Sequence, residues 1–245
     1  MPLAACRGGR TSRAPRRGRI ARGMNLELPR WAWAFAGTLA AVAGMVNVVG
    51  YLGFEHQAVT HLTGTTTLLG AALADGDARA IAQLAGVVLA FLGGSMLGGF
   101  IVQDSRLRLG RRYGVALALE ALLLLAAMQA FKQQQLAGAV LAAIACGLQN
   151  ATTTIYSGAV VRTTHLTGMF TDLGIGLGQA LRGLPLPRRR IRLSLLIIGG
   201  FLCGGVLGAW AYRQVGFDAL LGPALLTGTV GTLYALQAHY RSRER

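Results

Sequence analysis

The sequence predicts an all-α, polytopic helical membrane protein made of two inverted repeats, with about six full spans and two re-entrant or half-membrane helices. The first observation behind this prediction is composition. The chain is 53% hydrophobic and 13% charged, with a mean hydropathy of +0.49, whereas soluble domains carry about 25% charged residues. The second is an internal repeat, and the third is the distribution of arginines between apolar runs.

The repeat is centred on the motif H-L-T-G-x-x-T-x-L-G, which begins at His61 and again at His165. Seven of its ten positions are identical, at an offset of 104 (165 − 61). A G-x-x-N tetrapeptide precedes each copy and ends at Asn47 or Asn150. An F-L-x-G-x-x-L-G segment follows each copy, from Phe91 and again at an offset of 110 (201 − 91). Three matches in the same order indicate an internal duplication.

Six apolar runs are long enough, at about 1.5 Å per residue, to cross a hydrocarbon core of about 30 Å. They are Trp31–Phe54, Ala80–Val102, Tyr113–Ala130, Leu136–Tyr156, Leu193–Tyr212 and Phe217–Leu236. Two weaker segments, 58–74 and 159–181, contain the motif and are interrupted by polar residues. The domain plan is a disordered basic arm (1–30), a membrane domain (31–238, with repeats 31–131 and 136–238) and a basic tail (239–245).

The arginines indicate how the weak segments sit in the membrane. The chain has a formal net charge of +15, and its arginines cluster in the arm, in the loops at 106–112 and 182–192, and in the tail. Basic loops stay on the cytoplasmic side. If both weak segments dip in and return, every cluster and both termini are cytoplasmic, and the two repeats have opposite orientations. Eight full spans is the alternative, which would leave the 106–112 loop outside.

The motif predicts a polar site near the midplane. We expect Thr63 and Thr167 to cap half-helices, with the following glycines allowing the tight turn. The two positive helix ends would then face an anion or a polar solute. The predicted solute-binding residues are His61, Thr63, Gly64, Thr67, His165, Thr167, Gly168, Thr171, Asn47 and Asn150. Alternatively, the histidines hold the turns by hydrogen bonds to carbonyls, and the asparagines bridge helices.

Two carboxylates within apolar segments, Glu120 and Asp172, are candidates for proton coupling, because charge is costly inside a membrane. Asp172 could instead form a structural ion pair with Arg162, and Glu120 could be a neutral hydrogen-bonded group between helices. The sequence has no metal-ligand spacing and no hydrolase, metalloprotease or nucleotide-binding motif. We therefore expect neither an enzyme nor a bound cofactor or metal.

Three segments together resemble the YoaK family of bacterial inner-membrane proteins, a domain of unknown function. They are Gly147–Ala151, Thr163–Gly168 and His61–Gly64, within a resemblance that covers about residues 35–236. The family often has Asp where this chain has Asn47, and Asn where it has Thr65. The resemblance implies a multi-pass inner-membrane protein but little about activity.

The function that these patterns favour is a channel or secondary transporter for a small polar or anionic solute. The alternative is a membrane scaffold or regulatory protein that transports nothing. We expect the lipid bilayer and the solute as partners, with a homo-oligomer left open. The arginines flank apolar runs without interleaved aromatics, which argues against nucleic-acid binding.

Overall fold

A computed structural model of the protein describes residues 30–53, 59–102, 111–157 and 161–243. The predicted basic arm, most of the 106–112 loop and the end of the tail lie outside these residues. In chain order, the helices are α1 (Arg30–Gly53), α2 (Leu62–Asp75), α3 (Ala78–Val102), α4 (Arg111–Lys132), α5 (Leu136–Tyr156), α6 (Leu166–Leu181), α7 (Arg188–Val215) and α8 (Leu221–Arg243). A 3₁₀ segment, Gly216–Leu220, joins α7 to α8. The described residues contain no strand, so the predicted all-α class is confirmed for them.

Five helical segments in the described chain are long and apolar enough to cross a membrane. Four are α1, α3, α4 and α5, and the fifth runs from Arg188 to Tyr234 through α7, the 3₁₀ segment and α8. The two motif helices, α2 and α6, have 14 and 16 residues and are not among these segments. The multi-pass helical membrane character expected from composition is therefore confirmed.

The arginine-rich loop is shorter than predicted. Residues 188–192 form the first turn of α7, whose N-cap is Pro187. The Ile191 N–H donates to the Pro187 carbonyl at 3.1 Å. Proline has no N–H of its own and its φ is restricted, so it is well suited to precede a helix. The prediction that α7 begins at Leu193 is wrong by five residues (193 − 188).

The helices of the two repeats pack across one another. The most extensive pairs are α1 with α7, α3 with α5, and α4 with α8 and with α5, whereas α2 and α6 pack on α3 and α7. The first helix of each repeat therefore packs against the third helix of the other. This exchange makes the two repeats one interlocked bundle.

Glycines permit this packing at matching positions. A Cβ added to Gly44 in α1 would lie 2.1 Å from the Phe201 carbonyl oxygen in α7, and one added to Gly147 in α5 would lie 2.2 Å from that of Phe91 in α3. Both glycines belong to the repeated G-x-x-N, and both phenylalanines to the repeated F-L-x-G. Small residues let helices approach closely within a membrane. The same crossing thus occurs twice, between corresponding positions of the repeats.

Candidate functional site

Each short helix begins directly after the histidine of its motif. His61 is the N-cap of α2 and His165 the N-cap of α6, with nearly identical φ/ψ of −93°/63° and −92°/57°. Their carbonyls accept the N–H groups of Thr65 at 3.0 Å and Met169 at 3.2 Å. The two copies of the motif therefore have the same local conformation.

The predicted threonine caps are wrong. Thr63 and Thr167 lie within the first turn, and neither N-cap makes a side-chain capping bond. The Thr63 carbonyl accepts the Thr67 hydroxyl at 2.9 Å, and the Thr167 carbonyl accepts the Thr171 hydroxyl at 2.9 Å. A threonine hydroxyl commonly bonds back to the carbonyl four residues earlier. The N–H groups of the first turn thus receive no capping hydroxyl from within the motif.

The glycine of each motif leaves room for an imidazole ring. A Cβ added to Gly64 would lie 2.3 Å from Cδ2 of His61, and one added to Gly168 would lie 2.3 Å from Cδ2 of His165. Both glycines are helical, so the tight turn expected of them is not what requires glycine here. The ring of each histidine instead lies against the glycine, and this contact fixes where the ring sits at the start of the helix.

Both motif turns open onto one cavity of about 1070 Å³. Its walls include six of the ten predicted solute-binding residues: Asn47, His61, Thr63, Asn150, His165 and Thr167. The other four, Gly64, Thr67, Gly168 and Thr171, lie on α2 and α6 but outside the lining. The structure thus brings together polar residues that are about 100 positions apart in sequence. The coincidence of both turns at a single cavity is the central feature of the site.

The two asparagines of the cavity wall have different surroundings. Oδ1 of Asn47 accepts the Thr60 backbone N–H at 3.1 Å and the Thr60 hydroxyl at 2.7 Å. Oδ1 of Asn150 is buried and has no hydrogen-bond partner in the described part of the chain. Asn47 therefore ties α1 to the chain that leads into α2, whereas the buried amide oxygen of Asn150 makes no such link among the described residues.

Arg162 is the charged residue that the sequence did not assign to the site. Its side chain is exposed and lines the cavity, just before the second motif. The alternative that Arg162 pairs with Asp172 is wrong, because Asp172 pairs with Arg190 at 2.5 Å. No carboxylate lines the cavity within the described residues. The signal in the sequence was an arginine three residues before one histidine, with alanine at the corresponding position of the other copy.

Two phenylalanines also line the cavity without having been predicted as site residues. Phe91 and Phe201 open the repeated F-L-x-G segments, and their carbonyls lie at the glycine crossings described above. The only sequence feature that pointed to these two residues was that they occupy equivalent positions of the two repeats. The cavity wall thus includes aromatic as well as polar side chains.

Both proposed proton-coupling residues lie outside the cavity lining. Glu120 is 2% exposed within α4, and its Oε2 has no hydrogen-bond partner among the described residues. Asp172 lies on α6, with its carboxylate in the ion pair to Arg190. A coupling role for either residue stays a prediction.

Comparison with known families agrees with the resemblance in the motifs. Residues 35–233 match the family described as "Protein of unknown function (DUF1275)". This match is consistent with the resemblance to the YoaK family. No curated protein and no solved structure matches the chain. The chain therefore belongs to the DUF1275 family.

Proposed function

We propose that this family member is a channel or secondary transporter for a small anionic solute, which binds in the cavity between the two H-L-T-G turns. The observation that carries the proposal is the lining of that cavity. It contains both motif turns and Arg162, and no carboxylate from the described residues. A scaffold protein has no need for a polar cavity of about 1070 Å³ within an apolar bundle.

The starts of α2 and α6 add to the attraction for an anion. The backbone N–H groups of the first turn of a helix have no partner within the helix, and the helix dipole places partial positive charge there. The residues at both starts, from His61 to Thr63 and from His165 to Thr167, line the cavity. Together with the Arg162 guanidinium, these two helix starts supply positive potential from both repeats.

The proposal includes an inverted arrangement of the repeats. At about 1.5 Å per residue, the 14 residues of α2 and the 16 of α6 extend about 21 and 24 Å, which is less than a bilayer core of about 30 Å. We therefore propose that both are re-entrant and enter from opposite faces. The doubled glycine crossing supports a pseudo-two-fold relation between the repeats. Irregular backbone at membrane depth is tolerated where it lines a watery cavity.

The charge distribution supports an orientation. With re-entrant α2 and α6, the arginines near 106–112, those at 182–192 and both termini lie on one side. The positive-inside rule places that side in the cytoplasm. The family resemblance implies the bacterial inner membrane. We propose this location together with cytoplasmic termini.

The test is flux through purified protein in proteoliposomes. Chloride, nitrate, phosphate and short carboxylates are offered in turn, with a neutral sugar and potassium as non-anionic solutes. We expect flux of at least one anion and of neither non-anionic solute. Arg162→Gln should lower that flux about tenfold or more, because it removes the fixed charge of the cavity.

The matched control is Arg213→Gln, since Arg213 is an exposed arginine of α7 that does not line the cavity. It should leave flux unchanged. The combined change His61→Ala and His165→Ala tests the motif itself. Absence of flux for every anion, or flux that Arg162→Gln leaves intact, would refute the proposal, and the first result would favour the scaffold alternative.

A further inference from the structure

The aromatic walls of the cavity bear on what kind of anion it holds, a question that rests on the proposed function. Phe91 in α3 and Phe201 in α7 line the cavity, and they occupy equivalent positions of the two repeats. Phe170 in α6 and Tyr51 in α1 line it as well. A site that served only a hydrated ion would gain nothing from four aromatic side chains.

The backbones that carry the two phenylalanines cannot shift easily. Both carbonyls lie at the close helix crossings with Gly44 and Gly147, where a single added carbon would approach within 2.2 Å. The Ser95 hydroxyl also lies at one crossing, 2.9 Å from the Phe91 carbonyl and 3.2 Å from the Gly147 carbonyl. The two rings therefore stand on rigid parts of the bundle. An apolar surface held in place in this way is preorganised for an apolar ligand body.

The polar part of the lining limits the ligand to one strong negative charge. Arg162 is the only arginine among the described lining residues, and they include no lysine. A guanidinium can bind one carboxylate in a bidentate manner, through two parallel hydrogen bonds. A dianion would find only one guanidinium, and its second charge would face a helix start, hydroxyls, amides and imidazoles without a full positive charge. Inorganic anions would have to exchange a full hydration shell for a wall that is partly aromatic.

We propose that the solute is an organic monocarboxylate with an apolar body, whose carboxylate binds Arg162 and whose body packs between Phe91 and Phe201. The cavity of about 1070 Å³ slightly exceeds the range for small-molecule sites, roughly 300–1000 Å³. It therefore accommodates a body of several carbons. The two repeats contribute one phenylalanine each, so the body lies near the pseudo-two-fold axis.

The test is a chain-length series measured by calorimetry on the full-length protein in detergent. The ligands are acetate, propionate, butyrate, valerate and hexanoate, with chloride, phosphate and succinate for comparison. Each methylene buried in an apolar site should lower the Kd about fourfold. Chloride, phosphate and succinate should bind more weakly than valerate.

Variants separate the two ends of the ligand. Phe91→Ala and Phe201→Ala should each reduce the dependence of Kd on chain length while changing acetate binding little. Arg162→Gln should raise the Kd of every carboxylate by a similar factor. Phe100→Ala is the matched control, because Phe100 is 80% exposed on α3 and does not line the cavity. Phe91→Leu retains an apolar body and should keep most of the dependence, which guards against loss of folding.

Each outcome decides the question. If Kd does not depend on chain length while chloride or phosphate binds and is transported, the monocarboxylate proposal is overturned and the anion transporter stands. If no anion binds or moves, both proposals fail. A chain-length dependence that survives loss of both phenylalanines would also overturn this assignment of the apolar surface.

Discussion

The glycine crossings make the sharpest prediction about stability, because adjacent glycines differ only in what they face. A Cβ on Gly94 would lie 2.1 Å from the Ile144 carbonyl oxygen, whereas nothing lies within 4 Å of a Cβ on Gly93. In the other repeat, a Cβ on Gly204 would lie 2.0 Å from a carbonyl oxygen of α1, and one on Gly205 meets nothing within 4 Å. Alanine at each of the four positions therefore tests the crossing with its neighbour as the control.

The expected magnitude follows from the distances. An ordinary contact of a Cβ begins at 3.4 Å, so the helices at Gly94 or Gly204 would have to separate by more than about 1 Å. Overpacking of this kind costs about 1–3 kcal/mol. At Gly93 and Gly205, alanine meets no obstacle and gains up to about 1 kcal/mol of helix propensity. We expect each pair of variants to differ by about 1–4 kcal/mol in free energy of unfolding.

The measurement is reversible unfolding of the purified protein in mixed micelles with increasing SDS, followed by circular dichroism. Because the crossing occurs in both repeats, Gly94→Ala and Gly204→Ala should destabilise the protein by similar amounts. Equal stability of Gly94→Ala and Gly93→Ala, together with equal stability of Gly204→Ala and Gly205→Ala, would show that the helices do not approach as closely as described.

Three further predictions concern the site and the topology. Asn47→Ala should lower the free energy of unfolding by about 1–3 kcal/mol, because it leaves buried donors unpaired, whereas Asn150→Ala should alter anion flux more than stability in the same two assays. Gly64→Ala should lower flux as much as removal of the histidine ring it displaces, and the double variant should lose no more. Single cysteines at Asp75 and Arg182, in a background without native cysteines, should react with impermeant maleimide from opposite sides of the membrane; labelling of both from the cytoplasm would favour eight full spans.

The fold was largely predictable because its signals are local. Apolar run length predicted the long helices, and the repeated motif predicted two short ones at corresponding places. The start of α7 was not predicted correctly. The arginines between 188 and 192 were assigned to a loop because of their charge, whereas the chain is already helical directly after Pro187. The helix N-caps were also predicted at the wrong residue. A threonine next to a glycine resembles an N-cap in sequence, but the N-cap of α2 is His61, two residues before Thr63.

The residues of the site were predictable only where the same residue type occurs at the corresponding position of both repeats. The motif residues and asparagines were predicted because they recur, whereas Arg162 occurs in one copy and was considered only as an alternative partner of Asp172. In the folded chain, the loop after α6 turns back at Gly183, with a φ of 76°, and brings Arg190 of α7 to Asp172. Such a turn leaves no mark on hydrophobic periodicity.

The cavity therefore combines a symmetric frame with an asymmetric charge. The crossings, histidines and phenylalanines are present in both repeats, whereas the guanidinium of Arg162 belongs to the second repeat alone. A symmetric frame provides two equivalent walls for an apolar body, but only the second repeat adds a full positive charge to its helix start. We therefore expect a solute with a single charged end to bind better than one with two equal charged ends.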